Sequence, residues 1–280
     1  MKEIYRYRNV ILLSDKTLGR AEESRVWFTD GSAADLDRRA FINRGMGKIK
    51  VNPGSDGKIA KDVRTETLLF QGGNTIALQG GDLYFDLYQS HGAVTSLEII
   101  GTERFHSAID VYETVQGVVV ETPDRRVKGE YPEGRIILKA PGGAAVYIKN
   151  RGNGTGRIFS PIELLKIEIK GSLRLKCSIV SNADIKIDGC GYVHIENATK
   201  SCTVELNGSG NVRVGSGELT ELKANVNGSG SINAAVIAHR AELVLRGSGS
   251  ISVAHVIGQS HEVRGGSGSV TVLKRGYQHI

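Results

Sequence analysis

A Gly-x-Gly motif that returns at nearly constant spacing constrains this chain more than any other feature of its sequence. The first glycines of successive copies are 19, 20, 19 and 19 residues apart. A fixed period of this length indicates one structural unit that is repeated and stacked, because each unit buries a continuous core against the next. The chain has 36 glycines and only 5 prolines, which agrees with many tight turns between strands. The five copies are Gly189-Cys190-Gly191, Gly208-Ser209-Gly210, Gly228-Ser229-Gly230, Gly247-Ser248-Gly249 and Gly266-Ser267-Gly268.

Aliphatic residues recur at fixed distances from this motif. They stand four and six residues after the first glycine, and two and four residues before it. This alternation is typical of strands with one buried face. Each repeat therefore predicts two short strands that meet at a glycine turn, and the constant repeat length lets each strand pair in parallel with its counterpart in the next repeat. The column four residues after the glycine contains Leu175, Val193, Val212, Ile232, Ile251 and Val270.

These columns predict an all-β chain whose main domain is a parallel β-helix with 18–20 residues per coil. The repeat is clear over residues 163–280. Strands without a clear period precede it, and we interpret them as less regular coils of the same solenoid, so that the β-helical domain covers residues 81–280. Residues 1–80 lack the repeat and are predicted to form a small β-rich segment or an N-terminal cap. Glu262 and Arg264 replace aliphatic residues in the last repeat and predict a capped C-terminal end, since the open end of a solenoid exposes unpaired edge groups.

The segment Gly208-Ser209-Gly210-Asn211-Val212-Arg213-Val214 and its successors carry a family resemblance. They resemble the GIN domain, also called the putative auto-transporter adhesin head domain. That resemblance implies a right-handed parallel β-helix, an adhesin-like protein of bacterial origin and no established enzymatic activity. A cytosolic scaffold similar to the bactofilins, which are also β-helical and polymerise, is the alternative with the same architecture.

Two groups of polar residues are candidate sites of chemistry. Glycoside hydrolysis needs two carboxylates roughly 5–10 Å apart, and Asp184 and Asp188 are predicted to point outward from one strand. Asp188 shares its column with Asn207, however, and is better interpreted as a turn residue. His194 and Glu196 could contribute to a metal site, but the next coil supplies no matching ligand, which favours solvated polar residues. We therefore predict no catalytic, cofactor-binding or metal-binding residue, no cofactor and no enzymatic activity.

The three cysteines, Cys177, Cys190 and Cys202, are odd in number and contain no C-x-x-C pair. This pattern favours neither a disulfide framework nor a zinc site. Cys177 stands in an interior column and is predicted to pack in the core. Cys190 stands where the other motifs have serine and is predicted to be a small turn residue.

The predicted function is that of a non-enzymatic structural or assembly protein, a rigid scaffold for self-association or partner binding. The alternative is a carbohydrate-recognising module, adhesin-like or from a phage tail. We expect a homo-oligomer or a protein partner, with carbohydrate as the second candidate, while the modest net charge of +6 does not favour nucleic acid. No apolar stretch approaches the roughly 18 residues of a membrane span. The first residues lack a signal-peptide core, so we expect a cytoplasmic location, or export to the cell surface if a signal has been removed.

Overall fold

The computed structural model describes the backbone of residues 2–7, 10–14, 18–22, 25–28, 33–35, 63–70, 73–122 and 134–276. Nearly all of them lie in strands, with one six-residue helix. None of the helices in this part of the chain has the length and hydrophobicity of a membrane span. The elements are β1 Lys2–Tyr7, β2 Val10–Ser14, β3 Leu18–Glu22, β4 Arg25–Phe28, β5 Ala33–Asp35, β6 Val63–Phe70, β7 Thr75–Gly80, β8 Leu83–Gln89, β9 Thr95–Thr102, α1 Glu103–Ala108, β10 Asp110–Glu113, β11 Gly117–Thr122, β12 Gly134–Ala140, β13 Ala144–Asn150, β14 Asn153–Ile158, β15 Ile162–Ile169, β16 Ser172–Ile187, β17 Tyr192–Gly208, β18 Asn211–Val214, β19 Glu218–Gly228, β20 Ser231–Gly247, β21 Ser250–Val256, β22 Ser260–Gly265 and β23 Ser269–Arg275.

The chain divides into two compact units. Unit 1 comprises Met1–Ala77 and Phe85–Pro141, and unit 2 comprises Leu78–Tyr84 and Gly142–Ile280. At the start of unit 1, β1 pairs antiparallel with β2, and β4 pairs antiparallel with β3 and β5. This segment is β-rich, as the sequence predicts. Residues 36–62 lie outside the described residues, and the predicted domain boundary after residue 80 remains a prediction.

The strands of unit 1 between residues 85 and 140 lie where the sequence predicts them, and they form antiparallel as well as parallel pairs. β9 pairs antiparallel with both β6 and β12, and β10 pairs antiparallel with β11. β8 and β12 form a parallel pair, and β11 also pairs with β7. The extension of the β-helical domain back to residue 81 remains a prediction. β10 and β11 are antiparallel because three residues separate them, whereas a parallel connection needs a dozen or more.

Unit 2 forms the predicted parallel β-helix. From β13 onward each strand pairs in parallel with its counterpart about 19 residues later, for example Ile232 with Ile251, and the stack has about seven turns. The residues of the predicted interior columns are buried, and Val212, Ile232 and Ile251 have no exposed surface. Parallel stacking at about 4.8 Å satisfies the backbone and aligns like side chains into aliphatic ladders. The repeat is confirmed with the register predicted from the sequence.

Both glycines of the motif are needed, as the turn at Gly228 shows. Gly228 has φ +139, a conformation that side chains rarely adopt. Gly230 has no positive φ, but a Cβ there would lie 2.6 Å from the carbonyl oxygen of Gly210 in the preceding coil. That same oxygen accepts a hydrogen bond from the Ser231 amide at 3.0 Å. The first glycine of this turn therefore serves the turn conformation as well as the close approach of successive coils, whereas the second serves the close approach alone.

Glu262 forms the centre of a network at the C-terminal end of the solenoid. Its register partner in the preceding coil is the buried Leu243. Although Glu262 is charged, its side chain is only 18% exposed. Its carboxylate accepts hydrogen bonds from Arg264, at 2.9 Å, and from Arg275. Arg264 also donates to the carbonyl oxygen of Val270 at 2.8 Å. Glu262 and Arg264 thus stand where the sequence predicts a cap, and their charges are paired with each other and with the last strand.

The Glu262 network predicts an acid-sensitive contribution to stability. The hydrogen bond from Arg275, supported by Arg264, holds the pKa of Glu262 below its ordinary value of 4.5. A lowered folded-state pKa stabilises the fold above the unfolded-state pKa, and this contribution is lost as the pH falls through the folded-state value. We expect Glu262→Gln to lower the melting temperature at pH 7, and the difference from the native protein to shrink at pH 3. Thermal melts at both pH values measure this.

The matched control for the Glu262 variant is Glu242→Gln. Glu242 is exposed and forms no ion pair within the described residues. It should melt like the native protein at pH 7. A difference between native protein and Glu262→Gln that is equally large at both pH values would contradict the network's role as a charged cap.

Candidate functional site

One outward column of the β-helix carries basic residues in four consecutive coils. It lies five residues after the first glycine of each turn, between two interior columns, and so points to solvent. Cross-coil register places Arg157 beside Lys176, Lys176 beside His194, and His194 beside Arg213. We call these four residues the basic column. In the last three coils the same column continues with neutral residues, Asn233, Ser252 and Thr271.

The neighbouring outward column adds a further cation and an aromatic ring. Arg174 and Tyr192 are register partners in successive coils, and the Arg174 guanidinium lies over the Tyr192 ring, 5.4 Å from its centroid. The guanidinium of Arg157 lies 5.5 Å from the centroid of the Phe159 ring. We call the basic column together with Arg174 and Tyr192 the basic face. The Tyr192 ring orients the guanidinium of Arg174, and Arg174 forms no ion pair in the described residues, so its N–H edges are available to an anion.

Two exposed cations of the basic column are not compensated by carboxylates. Lys176 and Arg213 are exposed and form no ion pair in the part of the chain that the structure describes. Pairing within the fold therefore does not explain these two charges, which is the main reason to assign the column a role in binding.

The strands that precede the glycine turns show the contrasting arrangement, which we call the ion-pair face. There Lys149, Glu168, Lys186 and Glu205 alternate in sign along one column. Lys149 lies 3.5 Å from Glu168, and Lys186 lies 3.2 Å from Glu205. Hydrogen bonds, chiefly from Lys170 to Glu168, hold the pKa of this carboxyl below its usual value. These cross-coil pairs stabilise the stacking, so the ion-pair face is explained by the fold.

His194 lies at the middle of the basic column. Burial lowers its pKa, and the positive charges of Arg213 and Lys176 lower it further, while Glu196 opposes them. The imidazole is therefore neutral near pH 7, and its Nδ1 atom is buried without a hydrogen-bond partner. Among the described residues no group of three His, Cys, Asp or Glu side chains could hold a metal ion. His194 and Glu196 lie on one outward face, as the sequence predicts.

Asp184 and Asp188, the candidate catalytic pair, are each occupied by a contact between coils. Asp184 lies 3.4 Å from the ammonium group of Lys166. Asp188 accepts a hydrogen bond of 2.9 Å from the side-chain amide of Asn207. Both contacts join register neighbours at or beside the turn, which agrees with the interpretation of Asp188 as a turn residue. The absence of catalytic, cofactor-binding and metal-binding residues stays a prediction.

The cysteines lie where the repeat predicts. Cys177 and Cys202 are buried and Cys190 is exposed at the turn. Burial raises the pKa of both buried thiols, that of Cys202 to about 12, so both remain protonated thiols at neutral pH. Cys177 and Cys202 serve as small core residues.

Unit 1 contains a buried polar pair that sequence reasoning missed. Glu66 in β6 and His106 in α1 are 4% and 2% exposed, and the Glu66 Oε2 atom lies 3.4 Å from His106 Nδ1. In the same unit the buried Asp86 pairs with the half-exposed Arg135. Enclosed groups of this kind join neighbouring elements rather than face a ligand. No sequence pattern predicts them, because their partners are distant in the chain.

The basic column was also missed, although the sequence contains a signal for it. The interior columns lie at even distances from the glycine, and the odd positions between them resemble ordinary solvated surface. Reading the fifth position after each glycine gives Lys176, His194 and Arg213 in successive copies. The fold converts this positional repeat into a contiguous surface.

Comparison with known proteins agrees with the fold. A protein from Bacteroides fragilis described as a putative adhesin is 19% identical, with a TM-score of 0.59, over 77% of this chain and 98% of its own. A protein from Parabacteroides distasonis described as a putative lipid-binding protein is 20% identical, with a TM-score of 0.56, over 76% and 96%. A putative adhesin from Parabacteroides merdae is 17% identical, with a TM-score of 0.53, over the same shares. No protein with a curated description matches this sequence.

These structures share the architecture of this chain, but at such low sequence identities the similarity shows only the fold. The match to a family model is more specific. Residues 84–276, more than half of the chain, match the model described as the putative auto-transporter adhesin, head GIN domain. This range contains the five regularly spaced Gly-x-Gly motifs and the whole basic face. The chain belongs to the GIN-domain family.

Proposed function

We propose that this chain is a non-enzymatic, adhesin-like recognition module whose rigid β-helix presents the basic face to an anionic partner. The observation that supports this most strongly is the position of the exposed Lys176 and Arg213 on either side of His194, with no ion pair to either cation in the described residues. A ligand that supplies negative charge would pair with both cations of this outward column.

The described carboxylates support a non-enzymatic role. A glycosidase needs a carboxylic acid whose pKa is raised so that it can donate a proton. Glu163, Glu168, Glu205 and Glu262 all have pKa values below the ordinary one, mainly through hydrogen bonds from Lys, Arg or Asn side chains. They are suited to accept ion pairs across coils rather than to protonate a leaving group.

Self-association is the second candidate function. Phe159 and Ile179 are 48% and 44% exposed and lie in successive coils. Exposed apolar side chains of this kind can provide a small contact site, and the Glu262 network opposes end-to-end pairing at the C-terminal end. Light scattering distinguishes the possibilities: a closed oligomer supports lateral association, and a monomer leaves recognition as the function.

The recognition function is tested with protein-coated beads on surfaces that carry purified glycans, anionic lipid vesicles or oligonucleotides. We expect beads with the native protein to be retained on at least one anionic surface. Beads coated with Lys176→Glu/Arg213→Glu should be released from it, because the variant reverses the exposed charges of the basic column. Soluble ligand incubated with the protein should keep its chain length.

Three outcomes would contradict this function. Beads with the native protein are retained on no surface, the double variant is retained as well as the native protein, or the ligand is shortened on incubation. The first two outcomes remove the recognition surface, and the third would make the chain an enzyme.

A further inference from the structure

We propose that His194 takes up a proton when an anionic group binds between Lys176 and Arg213, the two cations on either side of it, so that the basic face holds its partner more tightly in mildly acidic conditions. This inference rests on the proposed recognition function and adds a dependence on pH to it. The proton comes from the solvent and returns to it when the anion leaves.

His194 lies midway between two exposed cations. Its register partners are Lys176 in the preceding coil and Arg213 in the following one. Register partners on neighbouring strands are about 4.8 Å apart, a distance at which one charge changes the titration of another. Neither cation forms an ion pair in the described residues. An anion that pairs with both of them therefore lies beside the imidazole.

Positive groups outnumber negative ones around the ring. In this neighbourhood the Arg174 guanidinium lies over the Tyr192 ring, and Glu196 is the single carboxylate. The fold thus opposes protonation of His194 with three cations and favours it with one anion. The charged and titratable side chains of this outward face are Lys176 and Arg174 of β16, Tyr192 and Glu196 of β17, and Arg213 of β18.

The protonation state of His194 can respond to a nearby anion. Burial lowers its pKa from the ordinary value of 6.5, and Arg213 and Lys176 lower it further against the effect of Glu196. The Nδ1 atom is buried without a hydrogen-bond partner, so the fold gives this nitrogen nothing that would hold the ring in one state. A bound anion offsets the two cations and raises the pKa, because an opposite charge at this distance favours the charged form.

The direction of the pH effect follows from linkage. An anion that raises the pKa of His194 binds the protonated protein more tightly than the neutral one. Without a ligand His194 titrates below 6.5, so at pH 8 the ring is neutral and Lys176 and Arg213 alone supply charge to the contact. At pH 5.5 we expect the ring of the complex to be protonated and to add a third charge.

The first test follows the imidazole of His194 by NMR during pH titrations of the full-length protein. Inorganic sulfate is the probe because its charge is constant between pH 5 and pH 8, and sodium chloride at equal ionic strength is the reference. We expect a higher pKa of His194 in sulfate than in chloride. Lys176→Gln/Arg213→Gln should raise the pKa in chloride, because both repelling cations are gone, and should abolish the difference between the salts.

The second test measures affinity for dextran sulfate, with uncharged dextran as the reference. The native protein should bind dextran sulfate at least about fivefold more tightly at pH 5.5 than at pH 8, the ratio expected when a neutral hydrogen-bond donor becomes a charged one. His194→Gln should reduce this ratio to less than about twofold, because glutamine takes up no proton.

The matched control is His239→Gln. His239 also has a half-exposed imidazole, but it lies 2.8 Å from Glu218 and outside the basic face. Its loss removes one titratable ring from the same β-helix and should leave the ratio between pH 5.5 and pH 8 at the native value. Thermal melts at both pH values check that each variant is folded.

Three results would overturn the inference and leave the recognition function standing. The pKa of His194 is the same in sulfate and in chloride, His194→Gln keeps the native ratio, or His239→Gln loses the ratio to the same extent, which would assign the effect to general charge. A failure of the recognition function looks different: the native protein binds no dextran sulfate at either pH, and beads coated with it are retained on no anionic surface. That result removes both proposals.

Discussion

Ile232→Asp is expected to destabilise the β-helix by about 3–5 kcal/mol, the usual cost of leaving a charge buried and uncompensated. Ile232 has no exposed surface and lies between Val212 and Ile251 in an aliphatic ladder. A carboxylate there finds no donor in the adjacent coils, because the ladder consists of hydrocarbon. For a domain of this size the melting temperature should fall by about 10 °C or more. Thermal melts followed by circular dichroism measure the change.

Ser229→Asp introduces the same charge at the glycine turn of the same coil, outside the core. Ser229 is exposed at the glycine turn, so its substitution should change stability by no more than about 0.5 kcal/mol. Comparable melting temperatures for the two variants would show that the coil register described above is wrong.

Gly228→Ala is expected to cost about 2–4 kcal/mol, since it combines a strained backbone with a steric clash. Gly228 has φ +139, and a Cβ there would stand 2.6 Å from the carbonyl oxygen of Gly208 in the preceding coil. Neither problem can be relieved by a side-chain rotation, because the contact is to backbone. Urea denaturation of the native protein and the variant measures the difference in stability.

The matched control is Gly265→Ala, at a position near the end of the same solenoid. The nearest atom to a Cβ at Gly265 is the carbonyl oxygen of Leu245 at 3.9 Å, an ordinary contact. This variant should be at least as stable as the native protein, because alanine reduces the entropy of the unfolded chain. If Gly228→Ala were equally well tolerated, the coils would not approach as closely as the structure shows.

The β-helix could be predicted because its information is local and repeated. Interior residues such as Val193 and Leu206 are aliphatic at fixed distances from a glycine, and each coil repeats the pattern at the same offset. A coil that departs from the pattern can still be assigned, because the other coils repeat the same spacing. The replacement of the interior columns by Glu262 and Arg264 was likewise visible, although their hydrogen bonds to Arg275 and Val270 were not.

The rest of the fold depends on contacts that have no repeat. The antiparallel pairing of β9 with both β6 and β12 joins segments with unlike sequences, and nothing in any one strand specifies the direction of its partner. Glu66 and His106 are 40 residues apart in the sequence and meet only in the folded unit. The clash that a Cβ would meet at either glycine of the motif is likewise not visible in one coil, since a close approach between coils is a property of the stack.

The basic face was hidden for a related reason. Lys176, His194 and Arg213 are ordinary surface residues when each is considered in its own coil. Their common position becomes meaningful only when the register is fixed, because the register places them in one outward column. A candidate site on a solenoid is therefore found by comparing outward columns for charges that the fold leaves unbalanced.

The constant register between coils makes the β-helix a molecular ruler. Every coil adds one side chain to each outward column and advances the surface by about 4.8 Å, so a binding footprint on it changes only in whole steps. Duplication of one coil with its Gly-x-Gly turn would lengthen the ladder without disturbing the coils on either side, because each contacts only its neighbours. Relatives with more or fewer coils could in this way match longer or shorter ligands with an unchanged fold.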